Sequence, residues 1–151
     1  MVATPPSIYL DTCCLNRPLD DASQERIRLE AEAVRMILRL VELGQLTWVT
    51  SDVLRFEVGL NPDIDRKKRV FSMITRADTL VKLEDSIIRE AERIESMGLT
   101  PLDALHVASA KAGKARVFLT VDDALLRKAK KVQDKIGIKV ENPLQWIGDL
   151  E

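Results

Sequence analysis

The 151-residue sequence is poor in cysteine and histidine, with two cysteines and one histidine. Cys13 and Cys14 are adjacent, so they cannot form a disulfide framework, and two sulfurs beside one histidine do not make a zinc site. A reducing environment suits such a sequence, and we expect a cytoplasmic protein. No apolar run approaches the roughly 20 residues of a membrane span, and we expect no signal peptide because the first residues lack a basic segment before an apolar one.

Net charge and aromatic residues are also scarce. The sequence has 24 acidic against 23 basic residues, and only 4% of its residues are aromatic. No global basic field therefore attracts nucleic acid, and no repeated aromatic pattern indicates a surface for base stacking. Basic residues do cluster at 66–69 and 127–131, where they fit either a phosphate-binding patch or an ordinary solvated helix surface.

Short apolar segments alternate with segments of helical periodicity, which is typical of an α/β protein. The predicted strands cover residues 8–10, 46–50, 79–83, 116–120 and 138–140. The predicted helices cover residues 20–44, 51–60, 65–77, 85–97, 100–112, 122–135 and 142–150. We predict one domain over residues 1–151, with three α/β/α layers and a mostly parallel sheet of about five strands.

Four acidic residues stand where this arrangement would bring them to one edge of the sheet. Asp11 and Asp122 follow predicted strands, Glu57 lies in the helix after the second strand, and Asp103 begins the helix that leads to the fourth. Parallel α/β folds place their sites at this edge. Carboxylates gathered there repel one another unless they are protonated or share a cation, and a hard divalent ion suits oxygen ligands.

Each acid also has a structural interpretation. Asp103 completes a capping box with Thr100, Asp122 or Asp123 could cap the next helix, Asp11 fits a turn, and Glu57 fits a helix surface. Against this, apolar residues flank Asp11, Glu57 and Asp103, and the neighbouring sequence offers no lysine or arginine to pair with them. Partly buried acids need partners, which favours a metal.

His106 follows Asp103 by one helical turn, on the same face of the predicted helix. It could contact the site or a phosphate, although a single histidine in an apolar helix is more often a packed, hydrogen-bonded core residue. A cysteine hydrolase that combines His106 with Cys13 or Cys14 is disfavoured, since nothing in the sequence positions the pair and buried thiols are the simpler interpretation.

Taken together, these segments resemble the PIN-domain family, in particular the small single-domain ribonucleases of VapC type. The resemblance lies in their order, spacing and predicted secondary structure, and it extends over nearly the whole chain. The matching segments are Ile8-Tyr9-Leu10-Asp11-Thr12, Ser51-Asp52-Val53-Leu54-Arg55-Phe56-Glu57, Leu102-Asp103-Ala104-Leu105-His106-Val107-Ala108-Ser109-Ala110 and Phe118-Leu119-Thr120-Val121-Asp122.

The resemblance implies a PIN-like fold in which Asp11, Glu57, Asp103 and Asp122 form an acidic metal site and act in catalysis. It implies a magnesium- or manganese-dependent endoribonuclease that hydrolyses RNA phosphodiester bonds, as the toxin of a toxin–antitoxin pair. The partners it implies are an RNA substrate, a small antitoxin protein and a second copy of the chain in a homodimer. It implies no membrane.

Several other residues near these acids could support the site. By resemblance, Thr120 supports the last acid. Small PIN domains often carry Ser or Thr two places after the first acid, and here that place is Cys13, whose thiol forms weaker hydrogen bonds. Asn16 and Arg17 could contact a phosphate or metal-bound water, and the role of Asp123 is open.

Three alternative functions follow from the same residues. A catalytically impaired PIN-like module that acts through protein or RNA binding is favoured by Cys13 and by the balanced charge. A phosphohydrolase of the haloacid-dehalogenase type would need a second acid at position 13. A dinucleotide-binding enzyme is disfavoured because no glycine-rich turn follows the first strand.

Overall fold

The computed structural model describes residues 4–150 and contains a five-stranded sheet in the order β3-β2-β1-β4-β5, in which all neighbouring strands are parallel. The predicted α/β fold with a parallel sheet of about five strands is therefore confirmed. The strands are β1 (Ser7–Leu10), β2 (Thr47–Ser51), β3 (Thr79–Val81), β4 (Val117–Leu119) and β5 (Lys139–Glu141).

Helices connect the strands, and a short 3₁₀ helix (Arg17–Leu19) follows the first of them. The α-helices are α1 (Thr12–Asn16), α2 (Glu25–Glu42), α3 (Asp52–Gly59), α4 (Ile64–Ile74), α5 (Asp85–Glu95), α6 (Pro101–Ala112), α7 (Asp123–Lys131), α8 (Gln133–Ile136) and α9 (Pro143–Asp149). Within the described residues, none of these helices combines the length and the apolar character that a membrane crossing requires.

The strand order creates a crevice between β1 and β4. From β1 the chain proceeds to β2 and β3 on one side, and it then returns across the sheet to β4 and β5 on the other. Parallel crossovers are right-handed, so the connections in opposite directions lie on opposite faces of the sheet. This places helices on both faces, as the predicted three layers require. The chain therefore diverges at the carboxyl ends of β1 and β4, the position at which open α/β sheets bind ligands.

The core consists of the strands and the helix faces packed on them. Every residue of β4 is buried, as are Trp48 and Trp146. Gly113, just after α6, lies against Val49 and Val81, where a side chain would collide with the sheet. Truncating a core aromatic residue such as Phe118 to alanine would cost about 3–5 kcal/mol.

The main differences from the sequence prediction concern helix boundaries. Residues 12–16, to which we assigned no helix or strand, form α1, and the predicted helix 20–44 begins only at Glu25. The predicted helix 122–135 is divided at Val132 into α7 and α8. Boundaries are poorly encoded locally because caps and short turns compete with hydrophobic periodicity.

Candidate active site

Asp11 connects β1 to α1 at the crevice between β1 and β4. Its Oδ1 accepts a hydrogen bond from the Thr12 backbone N–H over 2.8 Å, which caps α1. Its Oδ2 accepts from Thr120 Oγ1 over 2.8 Å and from Cys13 Sγ over 3.4 Å. The side chain is buried, and burial raises the pKa of the carboxyl above its ordinary value despite the nearby charge of His106. A buried carboxylate of this kind favours a cation beside it.

Glu57 reaches the same crevice from α3. Its Oε1 lies 3.0 Å from Nε2 of His106, which projects from α6. Burial alone would raise the pKa of Glu57, but the hydrogen bond and charge of His106 lower it below its ordinary value. Burial would lower the pKa of His106, but Glu57 and the charge of Asp11 raise it. Glu57 is therefore a carboxylate at neutral pH.

Asp103 lies in the first turn of α6. The backbone N–H of Asp103 donates to Thr100 Oγ1 over 3.2 Å, as expected for a helix cap. The pKa of its carboxyl is raised by burial and then by the negative charges of Asp11 and Asp122. Asp103 therefore shares an electrostatic environment with both of these acids.

Asp122 follows β4 and caps α7. Its Oδ1 accepts hydrogen bonds from the backbone N–H groups of Ala124 and Leu125, over 2.9 and 3.2 Å. The predicted capping role is confirmed, and it occupies one of the two carboxylate oxygens. Because the side chain is exposed, it can turn its second oxygen to solvent or to a ligand.

The residues fit a hard cation. Within residues 4–150, none of the four acids lies within ion-pair distance of a lysine or arginine. Ligand atoms of Asp11, Glu57 and His106 lie within 4.8 Å of one another, whereas Asp103 and Asp122 are outside this group. The structure brings two of the predicted acids and a histidine into closest contact, and Asp103 interacts electrostatically with Asp11 and Asp122. Oxygen ligands of this kind suit magnesium or manganese.

The sequence matches the PIN domain family over residues 8–131. The chain belongs to the PIN-domain family. The predicted resemblance is thereby confirmed, and members of this family are generally nucleases. A comparison with curated proteins gives no significant match.

Solved structures similar to this PIN domain include three with a TM-score above 0.5. FitAcB from Neisseria gonorrhoeae has a TM-score of 0.57 at 19% identity, covering 90% of this chain and 97% of that one. VapBC-1 from nontypeable Haemophilus influenzae has a TM-score of 0.60 at 14% identity, covering 91% and 98%. VapBC2 from Rickettsia felis, solved bound to a DNA fragment from their promoter, has a TM-score of 0.55 at 14% identity, covering 90% and 98%. These similarities support the fold.

Thr120 and Cys13 support Asp11 in this PIN domain. Thr120 Oγ1 donates to Asp11 and accepts from the backbone N–H of Asp122 over 3.1 Å, so the expected support of the last acid reaches only its backbone. Cys13 Sγ lies 3.3 Å from Thr120 Oγ1 as well as near Asp11. The thiol thus occupies the place of the usual hydroxyl and contacts the same carboxylate.

Asn16, Arg17 and Asp123 bind other side chains beside the site. Arg17 and Asp123 belong to what we call the arginine network, in which three arginines bind three acids beside the acidic crevice, and Asn16 contacts this network. The network consists of Arg17, Arg26 and Arg66 with Asp20, Glu30 and Asp123. Asn16 Oδ1 accepts from Arg66 Nη1, and Asp123 accepts two hydrogen bonds from Arg26.

Arg66 differs from the exposed basic residues of the two basic runs, which cover residues 66–69 and 127–131. Arg66 is held by Asp20 and by the carbonyl oxygen of Leu19, so it stabilises the loop after α1. The exposed basic residues of these two runs form no ion pair within the described residues. They are Lys68, Arg69, Arg127, Lys128, Lys130 and Lys131. These side chains remain available to phosphate groups.

Sequence reasoning missed a buried hydrogen-bonded chain behind Glu57. Tyr9 Oη lies 2.7 Å from His106 Nδ1 and 2.6 Å from Ser51 Oγ. We had favoured His106 as a packed core residue, and it is buried and hydrogen-bonded, but it also touches the site. The only tyrosine of the chain lies in a buried strand, and a buried tyrosine hydroxyl needs a partner, which was the available signal.

Proposed function

We propose that this PIN domain is a metal-dependent endoribonuclease that hydrolyses RNA phosphodiester bonds. The observation that carries the proposal is the set of four acids at the crevice between β1 and β4, none of which is paired with a lysine or arginine within residues 4–150. Membership of a family whose members are generally nucleases supports it. The ligands we propose are Asp11, Glu57, Asp103 and Asp122.

The protein groups of the site would have distinct tasks. A bound magnesium or manganese ion would supply Lewis acidity toward the phosphodiester and would lower the pKa of a water molecule. Asp11 is held in place by Thr120 and Thr12, and Asp103 is fixed in the first turn of α6. Glu57, whose pKa is lowered, is ionised at neutral pH and can orient water or accept a proton.

RNA with unpaired segments is the proposed substrate. Unpaired segments can bend a phosphate into a recessed site, which a rigid duplex does less readily. The site itself is negative, so substrate binding would depend on the cation. The exposed basic residues of α4 and α7 would hold flanking phosphates, which predicts salt-sensitive binding.

The proposed biological role is that of the toxin in a toxin–antitoxin pair, acting in the cytoplasm as a homodimer with a small antitoxin as inhibitor. The structural similarity to proteins named VapBC-1 and VapBC2 supports this role. Phe56 and Leu60, large apolar residues that are 65% and 62% exposed at the end of α3, provide a surface suited to a protein partner. Co-expression with the adjacent open reading frame should suppress cleavage, and light scattering should give a dimer mass.

The test of the activity is cleavage of a mixed RNA pool by wild type and Asp103→Asn, purified identically, with magnesium, manganese or a chelator. We expect wild type to cleave only with metal and to leave 5′-phosphate and 3′-hydroxyl ends. Asp103→Asn should lose about 100-fold or more, comparable to removing one group that stabilises the transition state. Asparagine keeps the shape of the side chain, so the melting temperature should change little.

Equal cleavage by the two proteins would reveal a contaminating nuclease. In that case the second candidate, a PIN-like module that binds without cleaving, would be preferred. Cys13, in the place of the usual hydroxyl, is the observation in its favour. Cys13→Ser should keep or raise the cleavage rate if the thiol is only a weaker hydrogen-bond partner of Asp11.

A further inference from the structure

A continuous chain of hydrogen bonds runs from the buried sheet to the partly exposed carboxylate of Glu57. Ser51 Oγ lies 2.6 Å from Tyr9 Oη, which lies 2.7 Å from His106 Nδ1, and His106 Nε2 lies 3.0 Å from Glu57 Oε1. Ser51, Tyr9 and His106 are all buried. They connect β1, β2 and α6 to a carboxylate on α3.

The direction of these hydrogen bonds follows from the groups themselves. Tyr9 is fully buried, and a phenol with an ordinary pKa of about 10 keeps its hydrogen at neutral pH. A neutral imidazole accepts that hydrogen at Nδ1 and carries its own at Nε2, facing Glu57. A protonated imidazole also carries a hydrogen at Nε2. In either charge state, therefore, His106 donates to Glu57.

His106 is rigid, whereas Glu57 alone would not be. The imidazole is 1% exposed, and its ring packs edge-on against Tyr9 and Phe118, with centroids 5.9 and 6.5 Å away. The Glu57 side chain is 28% exposed and has three rotatable bonds, so without a partner it would sample several rotamers. The hydrogen bond from His106 favours the rotamer that places Oε1 against Nε2.

We propose that His106 is a positioning residue, which holds the Glu57 carboxylate in the orientation the metal site needs, with Tyr9 and Ser51 fixing the imidazole. This inference rests on the proposed function of the site. Hydrogen-bonded supports of ligating carboxylates typically contribute about 10- to 100-fold in metal affinity or activity. The competing role for His106 is that of a direct ligand, and Nε2 cannot coordinate a metal while its hydrogen is shared with Glu57.

The single histidine makes the hydrogen bond directly measurable by NMR, because ¹⁵N-labelled protein gives one pair of imidazole nitrogen signals. We expect a slowly exchanging Nε2–H in wild type that persists when Mg²⁺ saturates the site. In Glu57→Ala the same proton should exchange faster and the nitrogen signal should move. Identical signals in the two proteins, or loss of the Nε2 hydrogen on adding Mg²⁺, would overturn the inference.

Calorimetric titration with Mn²⁺ tests the consequence for the site. His106→Leu, similar in volume but without a donor, should weaken Mn²⁺ binding about 10- to 100-fold. His106→Gln should recover part of this loss because its amide can donate to Glu57. Tyr9→Phe should weaken binding by roughly 2- to 10-fold, the value of one net hydrogen bond. Ser109→Ala is the control, since Ser109 is buried in the same helix and its hydroxyl bonds only the Leu105 carbonyl among residues 4–150.

Circular dichroism and melting temperatures establish that each variant is folded. Equal Mn²⁺ affinity in wild type and folded His106→Leu would overturn the inference, as would an equal loss in Ser109→Ala. If His106→Leu does not fold, the NMR comparison and the Tyr9→Phe titration decide. The RNA-cleavage assay stays separate: wild type that binds Mn²⁺ but cleaves no RNA contradicts the proposed function without affecting this result.

Discussion

Two groups of charged residues lie side by side in this PIN domain, and they are neutralised differently. In the arginine network each acid has at least one guanidinium partner; Glu30, which is 1% exposed, has two, Arg17 and Arg26. At the acidic crevice, no lysine or arginine within the described residues pairs with any of the four acids. Buried charge is costly unless it is compensated. The network compensates its charges within the fold, whereas the charge of the crevice is left to protonation or to the cation that we propose.

Asp122 and Asp123 show the difference in adjacent residues. Asp123 forms a two-hydrogen-bond pair with Arg26, and this hydrogen bonding holds the pKa of its carboxyl below the ordinary value. Asp122 instead caps α7, and its charge helps to raise the pKa of Asp103. A shift of one position along the chain thus separates a structural acid from a proposed metal ligand.

The largest expected effect, on the rate of RNA cleavage, comes from replacing Asp122 and, as a control, Asp123 by asparagine. Asp122→Asn should lower RNA cleavage by about 10²- to 10³-fold, because it removes one charge from the site. Asparagine caps helices as well as aspartate does, so the fold should be kept. Asp123→Asn, the matched control, should change the rate less than about 5-fold, since an exposed ion pair contributes little. Similar losses in both variants would contradict the distinction.

The arginine network should matter for stability instead. Glu30→Ala leaves Arg17 and Arg26 without their shared acid and should cost about 3 kcal/mol, which corresponds to roughly 6–12 °C in melting temperature for a chain of this length. Glu32→Ala on the same helix is the control, because Glu32 is exposed and, in the described part of the chain, pairs only with Arg28. We expect that control to change stability by less than about 0.5 kcal/mol. Urea denaturation measures both, and equal values would be inconsistent with a stabilising network.

Metal binding should offset the repulsion among the acids of the crevice and so stabilise the fold. Manganese at 100 times its dissociation constant should stabilise wild type by about 2.7 kcal/mol. Asp11→Asn should abolish this response while raising the metal-free melting temperature by about 2–4 °C, the shift that about 1 kcal/mol produces. The sign follows from the raised pKa of Asp11: its ionised form is disfavoured in the fold, and asparagine removes that cost. An unchanged manganese response in this variant would place the ion elsewhere.

A smaller effect is expected for Glu90, an ion-paired acid outside both groups, and it should depend on pH. Glu90 on α5 is bound by Arg93 and Lys111, and chiefly the hydrogen bond from Arg93 lowers its pKa to about 2. A lowered pKa contributes stability above the unfolded value, and this contribution is lost as pH falls through about 2. Glu90→Gln should therefore lose about 0.5 kcal/mol at pH 7, given partial exposure, and nothing near pH 2. A loss independent of pH would exclude the ion pairs as its cause.

Much of the fold followed from local patterns in the sequence. Alternating strands and helices predicted the parallel sheet, and Thr100-Pro101 correctly predicted the start of α6. The start of α2 was wrong by five residues, because Arg17 and Arg66 hold the preceding loop through Asp20 in a conformation without a helical pattern. Long-range ion pairs of this kind produce no periodic pattern in the sequence from which a helix boundary could be predicted.

The candidate site was predictable where it depended on strand ends. Asp11 and Asp122 follow neighbouring strands that the chain visits at opposite ends of the sequence, and parallel pairing brings them to one edge. The support behind Glu57 was not predictable, since Tyr9 and His106 are 97 residues apart and each alone reads as core. Only the packing of α6 against β1 and β2 shows that they share a hydrogen bond.

The sequence by itself determined the order of strands and helices, the acids at their junctions and the family, because these depend on periodicity, spacing and residue type along the chain. The tertiary structure alone decided which charges are compensated. Asp123 is bound by Arg26, which lies 97 residues away in the sequence, and Glu57 is bound by His106 of α6. Electrostatic interaction falls off with distance in space, and folding sets those distances independently of separation along the chain.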